Sequence, residues 1–231
     1  MLPFDSVPRC ALGGAPGARY SPTIVERMSR FPDFLRPLVV SGPSGVGKGF
    51  LIKRLFAEFP DKFGYSISHT TRGPRPDEIN GRDYHFTSPT AFRTLLQAGA
   101  FIEYAEFSDN MYGTSKQAVR DVACTGRRCI LEIEAQGIRQ VKQTDMNPVF
   151  LFLSPPSMGA LRKRLQDRGT ESDAVIQRRL ATSLREIEYA REPGAHDIVL
   201  VLDDYEKSYH DFRRVALGER IVGDVLPALD D

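Results

Sequence analysis

Residues 42–48 read GPSGVGK, and this spacing of glycines before a lysine is typical of a phosphate-binding loop. Glycines let consecutive backbone N–H groups converge on a phosphate, and the lysine adds a positive charge that reaches the β- and γ-phosphates of a nucleotide. The next position normally carries a Ser or Thr whose hydroxyl holds Mg²⁺, but here it is Gly49, followed by Phe50. The sequence therefore predicts an ATP or GTP site with altered metal binding, formed by Gly42, Pro43, Ser44, Gly45, Val46, Gly47, Lys48 and Gly49.

A second anion site is indicated by Arg72 and Arg75, which lie close together in the segment SHTTRGPRPDEINGRDYHF at 68–86. Guanidinium groups hold phosphate through pairs of parallel hydrogen bonds. Tyr84 and Tyr112 offer phenolic O–H donors nearby, although packing with a satisfied hydroxyl is the alternative interpretation of both tyrosines. The pattern predicts a phosphate site separate from the first.

An arginine-rich stretch follows in the second half of the chain. Arg164 and Arg168 are four residues apart and share one helical face, and Arg179 comes soon after. Like charges at this spacing repel unless an anion lies between them, and phosphoryl transfer spreads negative charge over phosphate oxygens that such side chains stabilise. Most charge runs are solvated helix faces, which is our interpretation of Arg162, Lys163, Arg178 and Arg185.

The elements that position these residues alternate between short apolar runs and longer stretches of helical period, a pattern typical of a parallel sheet flanked by helices. The predicted strands are 38–42, 65–68, 129–134, 149–154 and 197–202. Residues 72–118 mix polar and aromatic residues, which predicts a small, mostly antiparallel β insertion whose helix is capped at Ser88. Ser157 is predicted to cap a later helix.

Composition limits the class of protein. A chain of 231 residues forms one sizeable domain, and its net charge of +1 argues against a nucleic-acid-binding protein. Apolar runs are too short to cross a membrane. Three cysteines without a C-x-x-C pair favour a reducing compartment, and hence the cytoplasm. Residues 1–36, rich in Gly, Pro and Ala, predict a flexible extension, with an organelle transit peptide as the alternative.

Together these motifs resemble the guanylate kinases. TTRGPR (70–75), FIEYAEF (101–107), YGTS (112–115), CILEIEAQG (129–137) and FLSPPS (152–157) occur in the family's order, and the resemblance extends over roughly residues 37–218. It implies an α/β fold: a P-loop NTPase-type parallel sheet flanked by helices, with a small mixed α/β GMP-binding insertion and a helical lid. The implied domain 37–231 divides into core (37–71, 119–156 and 192–231), insertion (72–118) and lid region (157–191).

The resemblance also implies an activity, the transfer of the γ-phosphoryl group of Mg·ATP to GMP, giving ADP and GDP. The implied partners are ATP and GMP, the implied cofactor is Mg²⁺, and we expect a monomer without nucleic-acid or membrane partners. The implied catalytic residues are Lys48, Arg72, Arg164, Arg168 and Arg179, of which Arg168 and Arg179 also contact ATP. The GMP phosphate is assigned to Arg72, Arg75, Tyr84 and Tyr112, and the guanine to Ser68, Glu103, Thr114 and Glu134. Glu132 and Glu134 are expected to assist the metal, through water.

The chemistry of a carboxylate such as Glu103 independently favours guanine over adenine. Guanine presents an N1–H and an exocyclic amine side by side, and one carboxylate accepts from both. Adenine has an acceptor at N1 and would leave a buried carboxylate unpaired, at a substantial cost. Taken alone, Glu103 would be interpreted as an exposed polar position on a strand.

Several positions depart from the family pattern besides Gly49. Glu134, and often Glu132, stand where the family has Asp, and Asp77 stands where a Gly precedes the loop Glu. Leu202 replaces an Asn that often precedes the pair Asp203–Asp204, and this substitution removes a polar side chain expected to contact ATP.

Three other classes of protein share parts of this pattern. Guanylate-kinase-like interaction modules of scaffolding proteins have lost catalytic residues, whereas this chain keeps its lysine and arginines. A signalling GTPase would carry an N-K-x-D segment, which does not occur in the sequence. A different monophosphate kinase should lack the pairing of TTRGPR with FIEYAEF.

Overall fold

A computed structural model describes residues 33–167, 169 and 172–228. Most of the predicted N-terminal extension and Arg168 therefore lie outside the described residues. Within the described ranges, every helix is too short or too polar to cross a lipid bilayer.

The described residues form a mixed α/β chain with nine strands and seven α-helices. The strands are β1 (Leu38–Ser41), β2 (Phe63–Tyr65), β3 (His69–Thr70), β4 (His85–Phe86), β5 (Phe101–Phe107), β6 (Asn110–Ser115), β7 (Arg128–Glu132), β8 (Val149–Ser154) and β9 (Ile198–Val201). The helices are α1 (Lys48–Glu58), α2 (Pro89–Gln97), α3 (Lys116–Cys124), α4 (Ala135–Val141), α5 (Met158–Asp167), α6 (Asp173–Ala190) and α7 (Tyr205–Ala216).

The main sheet has the order β2-β7-β1-β8-β9, and every neighbouring pair is parallel. Its central strand β1 is completely buried because helices cover both faces. Leu38 and Val40 belong to the cluster that includes α1 and α7, whereas Val39 packs with Ile138 of α4 on the other face. The predicted parallel sheet flanked by helices is confirmed, and the loops after β1 and β7 leave it at the same edge.

The second predicted strand was wrong in position. It was expected at 65–68, but β2 spans Phe63–Tyr65 and pairs with β7. Phe63 is only 1% exposed and packs edge-on against Phe59, so the core fixes the strand at this residue. After Tyr65 the chain turns toward β3, which belongs to the second sheet and precedes the expected insertion boundary at residue 72.

The second sheet has the order β4-β3-β6-β5 and carries the predicted insertion. Its pairs β3–β6 and β5–β6 are antiparallel, and β3–β4 is parallel. Helix α2 packs on it through Phe92, whose ring stacks on that of Phe101 at 4.5 Å. The predicted cap is confirmed, since Ser88 Oγ accepts a hydrogen bond from the Ala91 N–H at 3.2 Å. Ser157 likewise accepts from the Ala160 N–H.

A partly buried histidine supports the end of β1, where the phosphate-binding loop begins. Ser41 Oγ donates to the Leu151 carbonyl at 3.2 Å and lies 2.9 Å from His196 Nε2. Burial lowers the pKa of His196 to about 4, and the charge of Lys142 adds to this shift. The imidazole is therefore neutral in the folded protein at neutral pH.

This shift predicts a specific loss of stability in acid. The unfolded histidine has a pKa of about 6.5, so its contribution is complete above that pH and is lost as the pH falls from 6.5 through 4. We expect the free energy of unfolding of the wild type to fall by about 3 kcal/mol more than that of His196→Gln over this range. Urea titrations at each pH measure the difference, with His210→Gln, whose side chain is 56% exposed, as control. Parallel profiles for wild type and His196→Gln would contradict it.

Candidate active site

The phosphate-binding loop joins β1 to α1 through residues 42–47. Gly42 has φ of 137°, and a Cβ at this position would lie 2.2 Å from the Leu153 carbonyl oxygen, so only glycine fits where the loop crosses β8. Gly47 is the N-cap of α1 and makes no side-chain capping hydrogen bond to this helix end. The first N–H groups of α1 and the positive end of its dipole can therefore bind an anion.

Lys48 is folded over this loop. Its Nζ donates to the carbonyl oxygens of Gly42 at 2.5 Å and Pro43 at 3.2 Å, and lies 3.8 Å from Glu132 Oε1. The side chain is only 14% exposed. Because an ammonium group has three N–H donors, a phosphate oxygen can take the place of one carbonyl without Lys48 leaving the loop.

A cleft of about 1030 Å³ opens beside the loop and is large enough for nucleotides. Its walls come from the loop, from the end of β7 with Glu132 and Glu134, from α6, and from Phe107 of β5. Residues from the segments predicted to be core, insertion and lid region therefore line one cleft.

The lid arginines reach the loop in two ways. Arg179 Nη1 donates to Ser44 Oγ at 2.6 Å, so the guanidinium lies directly over the loop. Arg164 instead donates to the backbone carbonyls of Val46 at 3.0 Å and Leu202 at 2.6 Å. In this conformation Arg164 braces the loop, and its predicted place at the transferred phosphate stays a prediction, as does that of Arg168.

The four residues predicted to surround the guanine lie together. Ser68 Oγ and Thr114 Oγ1 are 3.1 Å apart, and Glu103 Oε1 accepts from the Thr114 N–H at 3.0 Å. Burial raises the pKa of the Glu103 carboxyl, and the nearby charge of Glu134 adds to the rise. A partly desolvated carboxylate is a selective acceptor for paired N–H donors, because burial makes an unpaired charge costly.

Helix α4 fixes the strand that carries Glu103. The Gln140 amide accepts from the Tyr104 N–H at 2.9 Å and donates to the Tyr104 carbonyl at 3.0 Å. At Gly137 a Cβ would lie 2.5 Å from Ile133 Cγ2, so the small residue lets this part of α4 pack closely.

The residues predicted to grip the GMP phosphate are organised by a carboxylate that the sequence did not single out. Glu78 accepts two hydrogen bonds from the Arg72 guanidinium at 2.9 and 2.8 Å and one from the Arg75 N–H at 2.7 Å. The Arg72 guanidinium, followed by the Arg75 N–H, lowers the pKa of Glu78 to about 2. Arg72 lies 5.4 Å from the centre of the Tyr84 ring, which in turn meets Tyr112 edge-on at 6.3 Å.

The Arg75 side chain is exposed to solvent, and its backbone N–H donates to the cluster. The nearby departure at Asp77 causes no backbone strain, since the non-glycine residues with positive φ among those described are Ser108, Asp109 and Asn147.

Further residues of the cleft were missed by sequence reasoning: Lys53, Val175, Arg178, Thr182, Ser183 and Glu186. Arg178, predicted to be only solvated, is exposed but borders the cleft. The missed signal was helical spacing, because positions 175, 182 and 186 share the face of Arg179 on α6. Burial, with a contribution from Glu134, raises the pKa of Glu186 to about 7, and Lys48 opposes this rise.

The carboxylate oxygens of the cleft are too few to hold Mg²⁺ by themselves, and they can only add to ligands from phosphate and water. Glu132 and Glu134 both line it, but the described residues contain no group of three or more His, Cys, Asp or Glu side chains that could hold a metal ion. This donor set fits a Mg²⁺ ion that takes most of its ligands from phosphate and water, as this ion commonly does.

Comparison with known proteins matches the guanylate kinase family model to residues 35–217. The guanylate kinase of Sus scrofa is 46% identical over 186 residues, which cover 80% of this chain and 93% of that protein. The guanylate kinase of Homo sapiens is 45% identical over 186 residues, covering 80% and 94%. A crystal structure of guanylate kinase from Anaplasma phagocytophilum superimposes with a TM-score of 0.51 at 29% identity, covering 78% of this chain and 82% of that one.

Proposed function

The chain belongs to the guanylate kinase family, and from this premise we propose which of its residues carry the reaction. It is an enzyme that phosphorylates GMP, transferring the γ-phosphoryl group of ATP to give ADP and GDP. One observation supports the assignment to residues most strongly. Lys48 of the phosphate-binding loop and Glu134, which follows β7, line the same cleft, and the charge of Glu134 acts on the nearby Glu103. The interaction-module alternative has no support from these features.

On the donor side, residues 42–49 cradle the phosphates of ATP. Lys48 neutralises the charge that develops between the β- and γ-phosphates. Arg179, already bonded to Ser44, and Arg168 contact the transferred group. Arg164 acts by bracing the loop through the carbonyls of Val46 and Leu202.

On the acceptor side, Arg72, Arg75, Tyr84 and Tyr112 hold the GMP phosphate in line with the γ-phosphate. Arg72 keeps N–H donors besides those that bind Glu78, because a guanidinium group has five. The attacking atom is a phosphate oxygen that is already ionised, so no general base is needed. The base is read by Glu103, with Ser68, Thr114 and Glu134 around it.

Direct transfer of this kind requires both nucleotides to be bound at once. We therefore expect initial rates measured with ATP and GMP varied together to give intersecting double-reciprocal lines. Exchange of labelled phosphate between ADP and ATP in the absence of GMP should be undetectable. Parallel lines, or exchange without GMP, would indicate a phosphorylated enzyme and refute this mechanism.

We propose Mg²⁺ as the cofactor, held mainly by phosphate oxygens and water, with Glu132 or Glu134 bonding to its water. Bound there, the ion neutralises charge on the phosphate oxygens. A Cβ at Gly49 would meet no atom within 4 Å, so a serine side chain fits at the position where related loops carry a hydroxyl.

Gly49→Ser should therefore lower the Mg²⁺ concentration for half-maximal turnover by about fivefold, as expected for one added polar contact worth about 1 kcal/mol. Gly49→Ala is the matched control, because it makes the same change in the helix without the hydroxyl. Titration of Mg²⁺ at fixed total ATP, followed by both turnover and calorimetry, measures the effect. Identical titrations for the Ser and Ala variants would show that the missing hydroxyl is already compensated.

The setting of the enzyme is also part of the proposal: purine nucleotide metabolism, as a cytoplasmic monomer without nucleic-acid or membrane partners. The net charge of +1 and the three cysteines without a C-x-x-C pair support it. An organelle is the alternative if residues 1–36 act as a transit peptide.

A further inference from the structure

A second, smaller cavity adjoins the phosphate-binding loop. It has a volume of about 310 Å³ and is lined by Gly45, Val46, Gly47, Phe50, Arg164, Leu202, Asp203 and Tyr205. The γ-phosphate of the donor must face the larger cleft, where Lys48 and Glu134 lie. The nucleoside end of the donor therefore has the smaller cavity available to it.

Two aromatic rings form one wall of this cavity. Phe50 is 61% exposed, although it lies in the first turn of α1 immediately after the loop. Its ring meets that of Tyr205 edge-on, with centres 4.7 Å apart, so Tyr205 holds it from the side. Phe50 thus presents a supported, solvent-facing ring beside the phosphates, where an apolar surface would be covered by a base.

The remaining wall offers few groups that distinguish one base from another. The Arg164 guanidinium is bonded to the carbonyls of Val46 and Leu202 and so occupies both acceptors. The Leu202 side chain is buried against Gly47 and has no hydrogen-bonding group. Asp203, the other charged residue of the lining, is exposed, and its carboxylate can accept from the amine of adenine or of guanine.

We propose that Phe50 holds the base of the phosphoryl donor by stacking, and that the enzyme therefore accepts purine triphosphates besides ATP, GTP among them. The proposal rests on the function assigned above. Stacking on an aromatic ring favours every base, because each has a π-face, whereas hydrogen bonds would select one. Phe50 and Leu202 offer the donor base apolar contacts, and neither side chain has a group that could select one base by hydrogen bonding.

A fluorescence titration tests the contact directly, because the chain contains no tryptophan. Phe50→Trp introduces a single indole at the cavity, and we expect ATP and GTP to quench its emission saturably. Tyr65→Trp is the control, since this ring stacks on Phe56 at 4.6 Å and lines neither cavity. Absence of quenching by ATP in Phe50→Trp, or equal quenching in both variants, would overturn the proposal.

Kinetics test the specificity. The kcat/KM of the wild type for GTP should lie within about tenfold of that for ATP, since both stack comparably. Phe50→Thr should raise the KM for both donors about tenfold and leave the KM for GMP unchanged, and Phe50→Tyr should retain wild-type values. An unchanged donor KM in Phe50→Thr, or a wild type that uses ATP but rejects GTP, would overturn it. Lack of GMP-dependent turnover would instead refute the proposed function, because quenching requires no turnover.

Discussion

Lys48→Met is expected to lower the turnover number about a thousandfold. The variant keeps the apolar stem but removes the only charge that donates to the carbonyls of Gly42 and Pro43 among the described residues of the loop. In a water-poor cleft, one preorganised donor at developing phosphate charge contributes about 10²- to 10³-fold to the rate. Steady-state rates with saturating ATP and GMP measure the loss.

Lys53→Met is the matched control, because Lys53 lines the same cleft from the next turns of α1 but is exposed to solvent. We expect it to change turnover by less than about threefold, as is usual for a solvated charge. Thermal unfolding of both variants checks that the fold is intact. A Lys48→Met enzyme that keeps a tenth or more of the wild-type rate would contradict the role assigned to Lys48.

Glu103→Gln is expected to raise the KM for GMP by about 10- to 100-fold and to leave the KM for ATP nearly unchanged. The amide cannot accept two N–H donors as the carboxylate does, and losing a charge-assisted hydrogen bond in a buried site costs about 1.5–3 kcal/mol. Glu103 is suited to this role because its carboxyl is partly buried and accepts a hydrogen bond from the Thr114 N–H.

Glu106→Gln makes the same chemical change three residues along β5, where the side chain is exposed. It should leave both Michaelis constants within about twofold of the wild type. If Glu103→Gln and Glu106→Gln behave alike toward GMP, Glu103 does not read the base.

Much of the fold follows from local patterns. The apolar run at β8 matches its predicted range, and the Ser88 cap was recognisable from the proline after it. The error at β2 has a physical origin, because the residues that pair with β7 are chosen by the burial of Phe63 in the distant core. Periodicity in a short segment carries no information about such a partner.

The residues of the candidate site were predictable where a sequence motif carries the chemistry. They were not predictable where tertiary packing determines which groups a side chain contacts. The loop around Lys48 was predicted from residue types and spacing, and the Glu103 cluster was predicted from the resemblance to the guanylate kinases. The role of Arg164 was not, because its carbonyl partner Val46 lies 118 residues away in the sequence. Glu186 was missed because charge alone does not tell which face of α6 borders the cleft.

Transfer of phosphate from ATP to GMP by this chain should depend on recognition of the guanine base. A coupled assay of ADP formation, with GMP, AMP, CMP and UMP compared at equal concentrations, tests it most directly. We predict a kcat/KM for GMP at least about 10³-fold above that for the other three, because a site built to hydrogen-bond a base strongly rejects bases that leave it unpaired. Equal efficiency with AMP, or binding of GMP without turnover, would contradict it.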